Sequence, residues 1–287
     1  MTLENKQQPE AGVQGEVRHD RFVGGSDLTR WDTRLGRFLA AAVARVSRIL
    51  GPHAALILTL AIGAAFAVSL TAVFARVYES VVEADGVAGL DHPVLATAKT
   101  LRSPALAIAT TAYTDVGGTI GMPLLALAVM ATLALRRRSW TPVILVVIAG
   151  VGSLLMTIAG KSLIGRTRPA LTDAVPPYEH SASFPSGHSL NAVVIAGIIA
   201  YLVILRLKSP RARVLTALLA GLFAVTIGLS RVYLGHHWLT DVLAAWSLGA
   251  AWLALVITAH RLYLTARTHH LAARPTAPLP GSRDAAA

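Results

Sequence analysis

Six uncharged apolar runs constrain this chain more than any other feature: Ala54–Ala75, Val116–Leu135, Thr141–Gly160, Ser189–Leu205, Val214–Ser230 and Val242–Ala259. Each reaches or approaches the roughly 17–25 residues with which a helix crosses a bilayer. A buried helix of a soluble protein is the competing reading for the three shortest, but six such runs in 287 residues argue against it. Composition agrees, with 54% of residues apolar and only 14% charged, where a soluble domain carries about a quarter charged. The expected fold class is all-α: a polytopic membrane protein with six transmembrane helices in a bundle.

The formal charge of +11 raises nucleic acid as a partner, and its distribution excludes that reading. Eight Lys and Arg precede the first run, three form Arg136–Arg138, four lie in Arg206–Arg213 and four follow the last run. These nineteen of 26 fall on one side of a six-span topology, which the positive-inside rule makes cytoplasmic. Both termini are therefore expected in the cytoplasm, in what is expected to be the cell membrane. The first run begins more than fifty residues in, too late for a cleaved signal peptide. With no cysteine in the sequence, a disulfide framework, thiolate metal sites and a cysteine nucleophile are excluded.

Residues 1–30 are polar and Gly-rich without hydrophobic period, and disorder is expected there. Over 31–50, Trp31, Leu35, Phe38, Leu39, Ala42, Val43, Val46, Ile49 and Leu50 share one helical face while Arg34, Arg37, Arg45 and Arg48 fall opposite. That is an amphipathic helix suited to an anionic inner leaflet, a partner protein being the competing surface. Residues 76–115 form the longest outer segment, with helical character over Leu95–Thr111. Asp115, at the start of the second run, reads as a helix cap. Residues 263–287, Ala/Pro-rich from Leu271 onward, are expected to be a disordered cytoplasmic tail.

Three polar segments border the runs: Lys161-(six residues)-Arg168-Pro169, Pro185-Ser186-Gly187-His188 and Ser230-Arg231-(five residues)-His237-(three residues)-Asp241. The six-span topology puts all three at the outer face, although nothing in their recognition demanded it. Ionisable groups at the membrane rim are costly and functional by default. Helical i,i+4 spacing lets the Asp241 carboxylate orient the His237 ring as a nucleophile; His236, at i,i+5, does not share that relation. Pro185 suits a first helical turn, Ser186 a cap, and Gly187 the close approach of an anion to free N–H groups. His188 sits where it can protonate a leaving alkoxide. Lys161, Arg168 and Arg231 supply cations for a phosphate, while Arg166 reads as a membrane-edge anchor. Tyr178, Glu179 and His180 are candidate headgroup contacts, with a plain exposed loop at least as well supported.

These segments match every fixed position of the type 2 phosphatidic acid phosphatase signature, in order, and the chain resembles the membrane-bound lipid phosphatases of that superfamily. The resemblance implies that Lys161, Arg168, Arg231, the Ser186 hydroxyl and the Gly187 backbone bind phosphate. It implies that His237 attacks phosphorus to form a phosphohistidine, held by Asp241, and that His188 serves as acid and then base. It implies metal independence, so no cofactor or metal is expected. Residues 51–262 become a six-helix membrane phosphatase domain whose partners are the bilayer and a lipid phosphate substrate: phosphatidate, phosphatidylglycerol phosphate or a polyprenyl diphosphate. A lipid-diphosphate phosphotransferase and a noncatalytic lipid-binding or transport protein are the alternatives on the same fold. Soluble vanadate-dependent haloperoxidases share the pattern, but the six runs oppose them.

Overall fold

The computed structural model describes residues 54–272 together with Phe22, Val23, Ser26 and Asp27. Those four residues form a short antiparallel ladder of β1 (Phe22–Val23) and β2 (Ser26–Asp27). The rest of residues 1–30, the amphipathic helix expected over 31–50 and residues 273–287 lie outside the described residues.

Within 54–272 the chain is helical: α1 (Ala54–Glu83), α2 (Asp91–Thr100), α3 (Pro104–Asp115), α4 (Gly121–Arg137), α5 (Thr141–Ile164), α6 (Gly187–Ile204), α7 (Pro210–Tyr233) and α8 (Leu239–Ala272). Local chemistry sets several ends. Ser103 and Ser209 accept hydrogen bonds from Leu106 N and Ala212 N, and a proline follows each as the first helical residue. Gly165 closes α5 in the left-handed region, at φ +61°. Helix α8 continues to Ala272, beyond the expected boundary at 262.

Among the described residues, five helices are long and apolar enough to cross a membrane: Ile57–Glu83 within α1, α5, α6, α7 and Leu239–Ala266 within α8. The remaining expected run, Val116–Leu135, behaves differently. Residues 116–120 form a turn, and the helix that follows has only 17 residues, about 26 Å at 1.5 Å per residue. The hydrocarbon core is about 30 Å thick. Packing explains the turn. A Cβ at Gly117 would stand 2.9 Å from Ile227 and one at Gly118 3.2 Å from His188 Nε2, so this backbone lies directly on α7 and on a motif histidine. Asp115 therefore ends α3 instead of opening a span, and α4 starts without a side-chain cap.

Helix α6 is the centre of the bundle. Leu190, Val194, Ile198 and Leu202 are fully buried and meet Met122, Leu145, Ile227 and Val256 from α4, α5, α7 and α8. A helix apolar all round belongs in such a position. Outer helices instead expose Leu60, Phe66, Leu154, Leu218 and Leu222, as a lipid-facing surface would. Small residues let tryptophans bring helices together. The Trp252 ring fills the place of a side chain at Gly152 and donates Nε1–H to Ala149 O at 3.1 Å, while Trp246 does the same at Gly228 and donates to Ala224 O at 3.2 Å.

The chain passes back and forth through this bundle, so the C-terminal ends of α1, α5 and α7 gather with the N-terminal ends of α4, α6 and α8. At the opposite end Arg137, closing α4, donates to the carbonyl of Leu202 near the end of α6. Helix α4 thus runs the depth of the bundle beside α6.

Candidate active site

At the gathered end, residues 165–186 fold over the helix termini and are fastened on both sides. Val175 N donates to Leu234 O at 2.8 Å, Ser183 N to Arg166 O at 2.8 Å, and Arg102 donates to both Tyr233 O and Asp173 O. Gly235, at φ +72°, sits under this loop; a Cβ there would fall 2.3 Å from Asp173 O. The loop brings Arg168 and Glu179 over the start of α8, which no helix of the bundle does by itself.

His237 precedes α8 instead of lying on it, yet the spacing still brings it to Asp241. Its Nδ1 lies 3.4 Å from Asp241 Oδ2, long for a hydrogen bond, and its Nε2 lies 3.2 Å from Arg168 Nη1. A guanidinium only donates, so Nε2 carries the lone pair and Nδ1 the proton that faces the carboxylate. Both residues are buried, at 1% and 0% side-chain exposure. Burial pushes the His237 pKa down; Asp241 opposes this, and Arg168 and Arg231 add to it, leaving it at about 4. The imidazole is neutral near pH 7. His236 turns away, with Nε2 2.6 Å from Val175 O.

The Asp241 carboxylate is held on all sides. Oδ2 accepts from Trp238 N at 2.9 Å, the reach of a residue in the first turn back to its helix cap. It also accepts from Ser183 Oγ at 2.5 Å. Oδ1 accepts from Arg166 Nη1 at 2.7 Å, and Arg166 Nη2 pairs with Asp91 at 2.7 Å. Asp91 in turn accepts from Thr240 N at 2.9 Å and Thr240 Oγ1 at 2.6 Å. Stacking of Arg166 over Trp238, 5.7 Å from the ring centre, fixes the guanidinium plane.

Three cations converge beside His237. Arg168, from the loop, donates to Ser181 O at 2.7 Å and to His236 O at 2.5 Å. Arg231, in the last turn of α7, is 2% exposed. Lys161, in the last turn of α5, donates to Ser181 Oγ at 2.9 Å and Ala182 O at 2.5 Å. The Glu179 carboxylate bridges the two arginines, one oxygen on Arg231 and the other 2.8 Å from Arg168 Nη2. Burial alone would raise its pKa, but Arg231, His237 and Arg168 outweigh that and bring it down to about 2.

His188, in the first turn of α6, lines a cavity of about 520 Å³ with Glu179, Arg231, Thr114 and Asp115. Ser186 is the α6 cap: it accepts from Ser189 N at 3.5 Å and Ser189 Oγ at 2.8 Å, and its own N–H donates to Asp241 O at 3.2 Å. Gly187 is packed on Thr157, 3.1 Å from where its Cβ would be. All eight expected site residues thus surround one end of the bundle, seven of them with polar contacts or cavity surface there. Among the described residues, no three His, Asp or Glu side chains group so as to hold a metal ion.

Four participants escaped the sequence reading. Arg166, read as an anchor, is the direct partner of Asp241. Asp91 and Ser183 complete that network from distant segments. Glu179, read as a headgroup contact or a plain exposed loop, has its side chain 30% exposed and paired with two motif arginines. The one available signal was the rule that charge at a membrane rim has a task.

Known proteins resemble this chain in sequence and in fold. The family model described as the PAP2 superfamily matches residues 140–263. Phosphatidylglycerophosphatase B of Bacillus subtilis is 32% identical over 177 residues, covering 61% of this chain and 86% of that protein. An undecaprenyl-diphosphatase of Sulfolobus acidocaldarius is 31% identical over 132 residues, 45% of this chain and 59% of that protein. The crystal structure of a transmembrane PAP2-type phosphatidylglycerolphosphate phosphatase from Bacillus subtilis superposes with a TM-score of 0.61 at 32% identity, covering 67% of this chain and 94% of that one.

Proposed function

The chain belongs to the PAP2 superfamily, and we propose that within it the protein is an integral membrane lipid phosphatase that works through a phosphohistidine. One observation carries this reading: a neutral His237 presents the lone pair of Nε2 to Arg168, beside Arg231 and Lys161. A phosphate held by those cations stands in line for attack. His237 Nε2 forms a bond to phosphorus as the bond from phosphorus to the lipid oxygen breaks, and His188 gives that oxygen its proton. A water, deprotonated by His188, then attacks the phosphohistidine, releasing inorganic phosphate and the free imidazole. Asp241 holds Nδ1–H throughout and stabilises the positive charge of the phosphorylated ring. The cations neutralise the oxygens that gain charge in the transition state. Ser186 and the Gly187 backbone add donors at the α6 N-terminus.

In this reading residues 51–262 form the phosphatase domain, and α4 is the sixth crossing, since it runs the depth of the bundle beside α6. Six crossings and the charge bias put both termini in the cytoplasm and the site at the outer face of the cell membrane. The substrate is a lipid with a terminal phosphate or diphosphate, the class to which the names of both relatives point.

The test is phosphate release from phosphatidate, phosphatidylglycerol phosphate and a polyprenyl diphosphate by the purified protein in detergent with chelator present. Release from at least one is expected, together with an acid-labile phosphoenzyme on rapid quenching that His237→Ala lacks. No release from any of the three overturns the hydrolase reading. A phosphoenzyme that survives in His237→Ala overturns the nucleophile.

A further inference from the structure

Glu179 stands where a substrate phosphate would have to be. Its two carboxylate oxygens bridge Arg231 and Arg168, the same fork-and-anion geometry that a phosphate uses. Both arginines are otherwise engaged through backbone and loop oxygens or buried, so neither can turn to meet a second anion elsewhere. Arg231 Nε has no partner at all and is buried, a donor left waiting beside an occupied fork. Glu179 also differs from its partners in position and exposure. It lies in the loop, not on a helix, with its side chain 30% exposed against 2% for Arg231 and 9% for Arg168. The carboxylate can leave toward solvent; the arginines cannot follow.

Resting on the phosphatase reading, we propose that Glu179 is a built-in competitor for the phosphate site, displaced when substrate binds. The loop sets the strength of this competition. A site open only when Glu179 is out binds any anion more weakly, by the fraction of time it is open. Every ligand is affected by the same factor, so Glu179 does not alter the ratio of affinities. It sets a threshold instead. A terminal phosphate brings up to two charges near neutral pH and can meet both arginines and Lys161 after displacing one carboxylate. The phosphodiester of an ordinary membrane lipid brings one charge, so it exchanges one anion for another and gains little. Without Glu179, diester lipids at high mole fraction would occupy the forks and inhibit the enzyme. With it, they fall below the threshold while terminal phosphates remain above it.

The experiment compares the intact chain, Glu179→Gln, Glu179→Asp and Arg231→Ala in detergent, titrated with orthophosphate and with dimethyl phosphate by calorimetry. Glu179→Gln should bind both probes at least tenfold more tightly, and by a similar factor for each. Glu179→Asp, whose shorter side chain spans the two arginines poorly, should lie between, and it keeps the test open should the glutamine variant not fold. In mixed micelles with phosphatidate well below its KM, rising phosphatidylglycerol should inhibit hydrolysis by Glu179→Gln at mole fractions that leave the intact enzyme unaffected. Orthophosphate affinities equal to or weaker than that of the intact chain in both variants would overturn the competitor alone, because binding lost in Arg231→Ala would still uphold the phosphate site. No binding by any form, Glu179→Gln included, would overturn the phosphate site and the competitor together.

Discussion

Arg166 grips the Asp241 carboxylate at 2.7 Å through Oδ1, the oxygen that His237 does not use. The histidine and the arginine thus share one carboxylate, and Asp91 closes the network from the other side of the guanidinium. Asp241 has no freedom to rotate away from the imidazole, which its long 3.4 Å contact with Nδ1 would otherwise allow.

Loss of that grip should appear in turnover and not in binding. A hydrogen bond to a charged group contributes about 1.5–3 kcal/mol, and each 1.36 kcal/mol is tenfold in rate. Arg166→Ala is therefore expected to lower kcat by about 10–100-fold with little change in KM. Asp91→Asn should cost less, and the double variant less than the product of the two, because they act through one network. Steady-state kinetics on the three variants decides it. A rise in KM at constant kcat would instead make Arg166 a substrate contact.

Acid should silence the nucleophile late. A free histidine titrates near 6.5, but burial among Arg168 and Arg231 holds His237 at about 4 against the pull of Asp241. With an aryl phosphate, whose leaving group needs no proton, the phosphorylation burst should persist as pH falls through 6 and 5 and disappear near 4. Stability follows the same window. Between pH 4 and 6.5 the unfolded state binds the extra proton, so folding stability rises with pH there. A burst lost near pH 6.5 would contradict the burial of this ring.

Close approach of helices is a third point at which single atoms matter. A Cβ at Gly152 would fall 2.3 Å from the Trp252 ring, so Gly152→Val must push α5 and α8 apart. Overpacking of this kind costs about 1–3 kcal/mol. A lower thermal midpoint is expected in detergent, and smaller losses for Val151→Ala, whose side chain is 50% exposed. Equal midpoints would mean that the tryptophan has room to move.

How much of this was legible in the sequence depended on distance along the chain. His237 and Asp241 are four residues apart, and Pro185 to His188 are contiguous, so their chemistry can be read locally. Arg166 lies 75 residues from each of its two carboxylate partners, and only the fold of loop 165–186 brings them together. Glu179 meets Arg231 across 52 residues for the same reason. The second apolar run misled in the other direction. Val116–Ile120 has the composition of a span, but Gly117 and Gly118 are required as thin backbone against Ile227 and His188, so the helix starts late. Hydropathy measures transfer to lipid and carries no information on such a contact.

Whether that shortened helix still crosses the membrane can be asked directly, because the sequence contains no cysteine. Val87 follows α1 at the end of the bundle that holds the site, and Trp140 follows α4 at the other end; both are exposed, at 39% and 75%. Six crossings place Val87→Cys outside with Ala170→Cys, and Trp140→Cys inside with Lys208→Cys. In intact cells a membrane-impermeant maleimide should therefore label the first pair and spare the second, and permeabilisation should expose all four. A 17-residue helix can be accommodated by local thinning of the bilayer, at a fraction of a kcal/mol per Å. Labelling of Trp140→Cys in intact cells, alongside Val87→Cys, would overturn the six crossings, because α4 runs the depth of the bundle and puts these two positions at opposite ends. The cytoplasmic assignment of Arg136–Arg138 would fall with them, and with that part of the charge argument on which the orientation rests.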